Sequence, residues 1–179
     1  KLSGEVEVDE TYIGGRARGP AIKTKGRKSK GPAFGKAIVM GMLERHGRVR
    51  THVIENATSV SLYRQIKKNV AKGSQVFTDE WKGYRGLSPQ YAHQVINHAE
   101  AYVKGNVHTN SIENFWSLLK RGIKGTYVAV EPFHLFRYLD EQAFRFNARK
   151  GNDQERFIEA LSSGKGRRGT YQQLTGQTT

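Results

Sequence analysis

The chain has 179 residues, enough for one compact domain, and carries a formal net charge of +14 from 30 basic and 16 acidic residues, with a pI near 10.1. A surplus that large repels itself unless it meets a polyanion, so nucleic acid is the expected partner and an anionic membrane surface the competitor. No run approaches the roughly 20 apolar residues of a bilayer span, no signal-peptide pattern is present, and the absence of cysteine excludes disulfides, thiol catalysis and Cys-ligated zinc.

The chain opens at Lys1 directly into strand-like sequence, and it reads as a piece of a longer protein. Residues 4–13 alternate, with Val6 and Val8 on one face and Glu5, Glu7 and Asp9 on the other, which predicts a half-buried strand. From 14 to 36 Gly and Pro punctuate a run of Arg16, Arg18, Lys23, Lys25, Arg27, Lys28, Lys30 and Lys36 with no acid among them, predicting a mobile basic loop. Strands over 37–45 and 48–54 follow, joined at His46-Gly47 as a hairpin. A helix then begins among the capping residues 56–59, shows Val60, Tyr63, Ile66 and Val70 at helical spacing, and closes at Gly73.

A short strand over 75–78 ends at Asp79, and another extended stretch covers 92–96. A second helix runs from 110 to 121 with Ile112, Phe115, Trp116 and Leu119 on its apolar side. A third, aromatic-rich, covers 133–149, and residues 162–179 read as a flexible tail. The expected division is a catalytic unit over 1–150 and a basic, partly flexible extension over 151–179. Three meandering strands, then one joined by a helical crossover and one more before the second helix, imply an α/β mixed five-stranded sheet flanked by helices. That is the element order of a ribonuclease H-like domain.

In so basic a chain, acids at element ends are candidate site residues. Asp9, Asp79 and Glu113 fall where this topology brings carboxylates together, because the first and fourth strands would lie side by side with the second helix starting at their exit. Clustered carboxylates suit Mg²⁺, a hard cation with oxygen ligands, and two such ions roughly 4 Å apart promote in-line phosphoryl displacement. Each acid also has a structural reading: Asp9 as an ordinary strand acid, Asp79 as a turn former, and Glu113 as the partner of Asn110 in a capping box.

Four ordered segments carry a resemblance. Glu7-Val8-Asp9-Glu10-Thr11-Tyr12-Ile13-Gly14-Gly15, then Thr78-Asp79-Glu80-Trp81 with Gly83-Tyr84, resemble the first two catalytic motifs of the IS1595-family transposases with their ISXO2-like, DDE-type domain. His108-Thr109-Asn110-Ser111-Ile112-Glu113-Asn114-Phe115-Trp116 with Leu119-Lys120-Arg121-Gly122 resembles the third motif, and Arg137-Tyr138-Leu139-Asp140-Glu141 with Phe144-Arg145-Phe146-Asn147 and Arg149 the following helix. The resemblance covers about residues 5–150.

It implies a transposase that cuts and joins DNA, bacterial, cytoplasmic and nucleoid-associated, using two Mg²⁺ or Mn²⁺ ions held by Asp9, Asp79 and Glu113. Some members carry Asn at the third acid, which leaves Asn110 and Asn114 as alternatives to Glu113. Lys120, two turns after Glu113, matches the family's trailing lysine and shares its helix face. The resemblance implies as partners transposon-end and target DNA, with homo-oligomers forming on DNA. The zinc-ribbon-like and helix-turn-helix regions usual in the family are not among these residues.

The basic run from Arg16 to Lys30, with Lys120, Arg121 and Lys124, is the expected phosphate-contacting set, and Lys165, Arg167 and Arg168 add to it. Trp81 and Tyr84 are candidates for base stacking or for the core. His108 and Asn110 are candidate auxiliary residues, His108 alternatively being a loop residue with a backbone partner. Two other functions fit the same residues: a nuclease that stops at hydrolysis, and a DNA-binding module without catalysis.

Overall fold

The computed structural model describes residues 1–14, 36–87, 90–96, 108–127, 130–167 and 169–175. Strands β1 (Glu5–Ile13), β2 (Ala37–Glu44) and β3 (Val49–Ile54) are followed by helix α1 (Ser59–Asn69), then by β4 (Gln75–Thr78) and β5 (Ala92–Val95). Helices α2 (Asn110–Gly122), α3 (Leu135–Asn147), α4 (Asp153–Gly164) and the short α5 (Tyr171–Thr175) complete the chain. The sheet order is β3-β2-β1-β4-β5. The meander β1–β2–β3 is antiparallel, whereas β4 and β5 run parallel to β1. This is the expected mixed five-stranded sheet.

Alternation along the central strands separates two cores. Val6 and Val8 of β1, Met40 and Met42 of β2 and Val76 of β4 pack with Leu62 and Ile66 of α1. Ile13, Val39 and Leu43 face the other way, onto Ile112, Phe115, Trp116 and Leu119 of α2 and Leu135 and Leu139 of α3. β1 is therefore covered on both faces rather than half-buried as its alternation suggests, and Glu7, on the α2 side, is fully enclosed. The β2–β3 hairpin turns where expected: His46 adopts a positive φ of 59° and Gly47 N–H donates to the Glu44 carbonyl at 2.8 Å.

Three expectations need correction. Val60 is 69% exposed, because the buried stripe of α1 is set by Leu62 and Ile66, four apart. The third helix starts later than 133: Pro132–His134 form a 3₁₀ turn before α3. The tail expected from 162 is partly helical. Asn152 and Glu155 make a reciprocal capping box that starts α4, which runs to Gly164, and Tyr171–Thr175 form another short helix. The basic stretch Arg16 to Lys30 lies outside the described residues.

Candidate active site

Asp9 sits in the middle of β1. Glu5, Val6 and Glu7 pair with Gln75, Val76 and Phe77 of the parallel neighbour β4, a constant offset of 70 positions. The parallel pairing brings the end of β4 alongside the middle of β1, near enough for the Asp79 charge to act on Asp9. Asp79 follows the last β4 residue and bends the chain: its Oδ1 accepts the Trp81 backbone N–H at 3.0 Å. The turn-forming role of Asp79 is thus present.

Helix α2 arrives over the same strand. Its N-terminus is capped not by its own side chains but by Glu7, whose Oε2 accepts the backbone N–H groups of Ser111 and Ile112, both at 2.9 Å. Glu7 Oε1 accepts the Ser111 hydroxyl at 3.1 Å and Arg45 Nε at 2.9 Å. Arg45 in turn donates Nη2 to the His108 carbonyl at 2.7 Å and lies over the Phe77 ring, 4.0 Å from its centroid. A buried carboxylate is tolerated when its lone pairs are filled in this way. The negative charge also suits the positive end of the helix dipole. The Asn110–Glu113 capping box considered from sequence does not form. Thr109 is the N-cap, and its hydroxyl donates instead to Glu113 Oε1 at 3.0 Å.

One turn into α2, the Trp116 indole N–H donates to Asp9 Oδ2 at 2.9 Å. Gly41, directly across β2 from Asp9, makes room for it: an added Cβ would stand 2.6 Å from the Trp116 ring. Glycine inside a strand is a mark of such close approach.

The Asp9 carboxyl is raised to about 6, first by burial and then by the Asp79 charge. The Trp116 and Glu10 N–H bonds oppose this, and Glu113 adds the smallest upward push. Glu10 leaves the opposite face of β1, where the Tyr84 hydroxyl donates to it. Its carboxyl is raised to about 7, chiefly by burial and then, against the Tyr84 bond, by Asp79 and Asp9. Burial also drives the Tyr84 phenol well above its ordinary value.

Among the described residues no group of three or more His, Asp and Glu side chains closes into a ready metal cage. The arrangement is an open one. Asp9 and Asp79 are electrostatically coupled, and Glu113 reaches the same field from α2. The donors are all oxygen, and the Asp79 and Glu113 charges add to burial in raising the proton affinity of Asp9. Both fit a hard divalent cation, which needs one or two carboxylates and keeps its own waters.

The chain matches the model of the ISXO2-like transposase domain over residues 1–147. It belongs to that family. An uncharacterised transposase-like protein of Haemophilus influenzae is 30% identical over 118 residues, covering 65% of this chain and 95% of that protein. A protein from the transposable element ISH50 of Halobacterium salinarum is 29% identical over 132 residues, 67% of this chain but 45% of the relative. In fold, this ISXO2-like domain is similar to the catalytic core domain of BIV integrase, with a TM-score of 0.55 at 12% identity, over 90% of this chain and 97% of that one. The ribonuclease H-like architecture is thereby shown.

Of the remaining sequence candidates, Lys120, Arg121 and Lys124 are exposed at the end of α2 and just beyond. Asn110 and Asn114 line a groove facing α3 with Gln142 and Phe146, whereas Glu113 is the α2 carboxylate whose charge acts on Asp9. His108 approaches Glu7 Oε1 with its Nδ1 at 3.4 Å. Tyr84 is 1% and Trp81 48% exposed, so the two aromatics divide between core and surface. No described helix is long and apolar enough to cross a membrane. Sequence reasoning passed over Glu7, Trp116 and Gly41 as site residues; the one local signal was a glycine inside a strand.

Proposed function

We infer that residues 1–150 form the catalytic unit of a DNA transposase and that Asp9, Asp79 and Glu113 hold two Mg²⁺ or Mn²⁺ ions. The parallel pairing of β1 with β4 and the effect of the Asp79 charge on Asp9 support this reading. Bound ions would neutralise the carboxylates and stabilise charge on the attacking and leaving oxygens of a phosphodiester.

The chain's own residues do the rest. Trp116 donates to Asp9 Oδ2 and so fixes the orientation of that carboxylate. Glu7 holds the first turn of α2, and hence Glu113, against β1. Lys120, Arg121 and Lys124, with the basic run from Arg16 to Lys30, neutralise backbone phosphates in a sequence-independent way. Water attacks phosphorus and the P–O3′ bond breaks, leaving a 3′-hydroxyl and a 5′-phosphate. That hydroxyl then attacks a target phosphodiester, exchanging one ester bond for another without an energy source. Joining two ends calls for at least two copies on DNA, and the bacterial nucleoid is the setting.

The test is nicking and strand transfer on supercoiled plasmid with Mg²⁺ or Mn²⁺. Wild type is expected to do both and Asp79→Ala neither. Cleavage without joining identifies a hydrolytic nuclease. Binding without cleavage in any metal identifies a DNA-binding module. Cleavage undiminished in Asp79→Ala removes the metal assignment.

A further inference from the structure

Beside Asp79, on the α1 side of the sheet, lies a cleft of about 420 Å³ whose lining includes Glu80, Trp81, Lys82, Arg85 and His93. We propose that it is the subsite for an unpaired nucleobase of the DNA strand, stacked on Trp81, with Lys82 and Arg85 on the adjoining phosphates; this rests on the DNA-cleaving function above.

Trp81 is exposed yet fixed. Its backbone N–H is tied to Asp79 Oδ1 at 3.0 Å, and its indole N–H donates to the Ala57 carbonyl at 3.2 Å. One edge of the ring rests on Gly83, where an added Cβ would stand 2.6 Å from Nε1 and 2.7 Å from Cδ1. An indole held at two places on an anchored backbone but 48% exposed has given up much of its rotamer freedom before any ligand arrives, so stacking costs little further ordering. The other tryptophan, Trp116, is 4% exposed and spent on Asp9.

The surroundings suit an anionic, aromatic ligand. Lys82 and Arg85 are exposed, and neither takes part in an ion pair among the described residues. Glu80 is the opposing charge in the cleft, set against two cations. Asp79 lines the cleft and acts on Asp9, so the subsite adjoins the acidic residues. A paired base inside a duplex has its faces covered by its neighbours, so it must leave the stack to lie on the indole. Stacking of this kind tolerates any base, because each has a π-face.

The experiment uses the full chain with duplexes bearing a short 3′ overhang, 2-aminopurine replacing each overhang base in turn, in Ca²⁺ so that the strand stays intact. Quenching of 2-aminopurine at one position is expected with wild type and Trp81→Phe, and its loss with Trp81→Ala. Trp81→Ala should weaken overhang binding roughly 10-fold, but less than about 2-fold when the overhang position is abasic. Equal weakening on both DNAs, or no quenched position, overturns the subsite. Separately, wild type is assayed for Mg²⁺- or Mn²⁺-dependent cleavage. Cleavage without this coupling removes the subsite alone, and no cleavage in either metal removes the function it rests on.

Discussion

The indole N–H of Trp116 holds Asp9 Oδ2 at 2.9 Å, so the helix that presents Glu113 also orients the first carboxylate. That bond lowers the proton affinity of Asp9 against the effect of burial. Partners of metal-binding side chains typically contribute 10- to 100-fold in affinity or activity. Trp116→Phe, which keeps the ring and removes the donor, should raise the Mn²⁺ concentration for half-maximal nicking roughly 10- to 100-fold. An unchanged metal dependence would show that the bond is incidental.

Gly41 makes that bond possible. Gly41→Ala forces a methyl to within 2.6 Å of the Trp116 ring, and such overpacking costs about 1–3 kcal/mol. Its metal defect should match that of Trp116→Phe, and the double variant should be no worse than either, since both act through one contact. Additive metal defects would place Gly41 outside this chain of contacts.

Glu7 is a carboxylate without a metal role here. Its two oxygens receive Arg45, the Ser111 hydroxyl and the first N–H groups of α2. Removing one partner of a buried pair costs about 3–5 kcal/mol, so Glu7→Gln should lower the thermal midpoint by many degrees. Nicking should fall even at temperatures where the variant is folded, because α2 loses its anchor. Full activity in a variant of wild-type stability would contradict the capping role.

The raised carboxyls set a pH dependence. Asp9 is lifted from 3.8 to about 6 and Glu10 from 4.5 to about 7, so the folded state holds more protons than the unfolded chain between those values. The contribution of these two acids to stability therefore falls as pH rises from about 4 to about 7 in the metal-free protein. Calorimetry should show a declining midpoint across that window, a shallower decline in Asp9→Asn, and recovery on adding Mg²⁺ at pH 7.5. A midpoint with the same pH dependence in Asp9→Asn as in wild type would contradict the raised Asp9 carboxyl.

What the sequence revealed follows contact range. The strand Gln75–Thr78 was legible to the residue because four extended residues sit between turn formers. The pairing of β1 with β4 followed from a crossover rule. The seat of Val60 was misjudged because several helical stripes fit one short segment, and only the sheet selects that of Leu62 and Ile66. The capping of α2 by Glu7 was out of reach: its partners lie 104 and 105 positions away, and Glu7 reads locally as one more solvent-facing acid. Helix α4 was missed although its Asn152–Glu155 box stands in the sequence, because the Ser, Gly and Lys that follow drew the segment into the tail.

The convergence of Asp9, Asp79 and Glu113 is tested most directly by anomalous diffraction from crystals soaked in Mn²⁺. The predicted result is density between the Asp9 and Asp79 carboxylates, within reach of Glu113, that disappears in Asp79→Asn. Mn²⁺ found only away from these residues, at concentrations that support nicking, would contradict it.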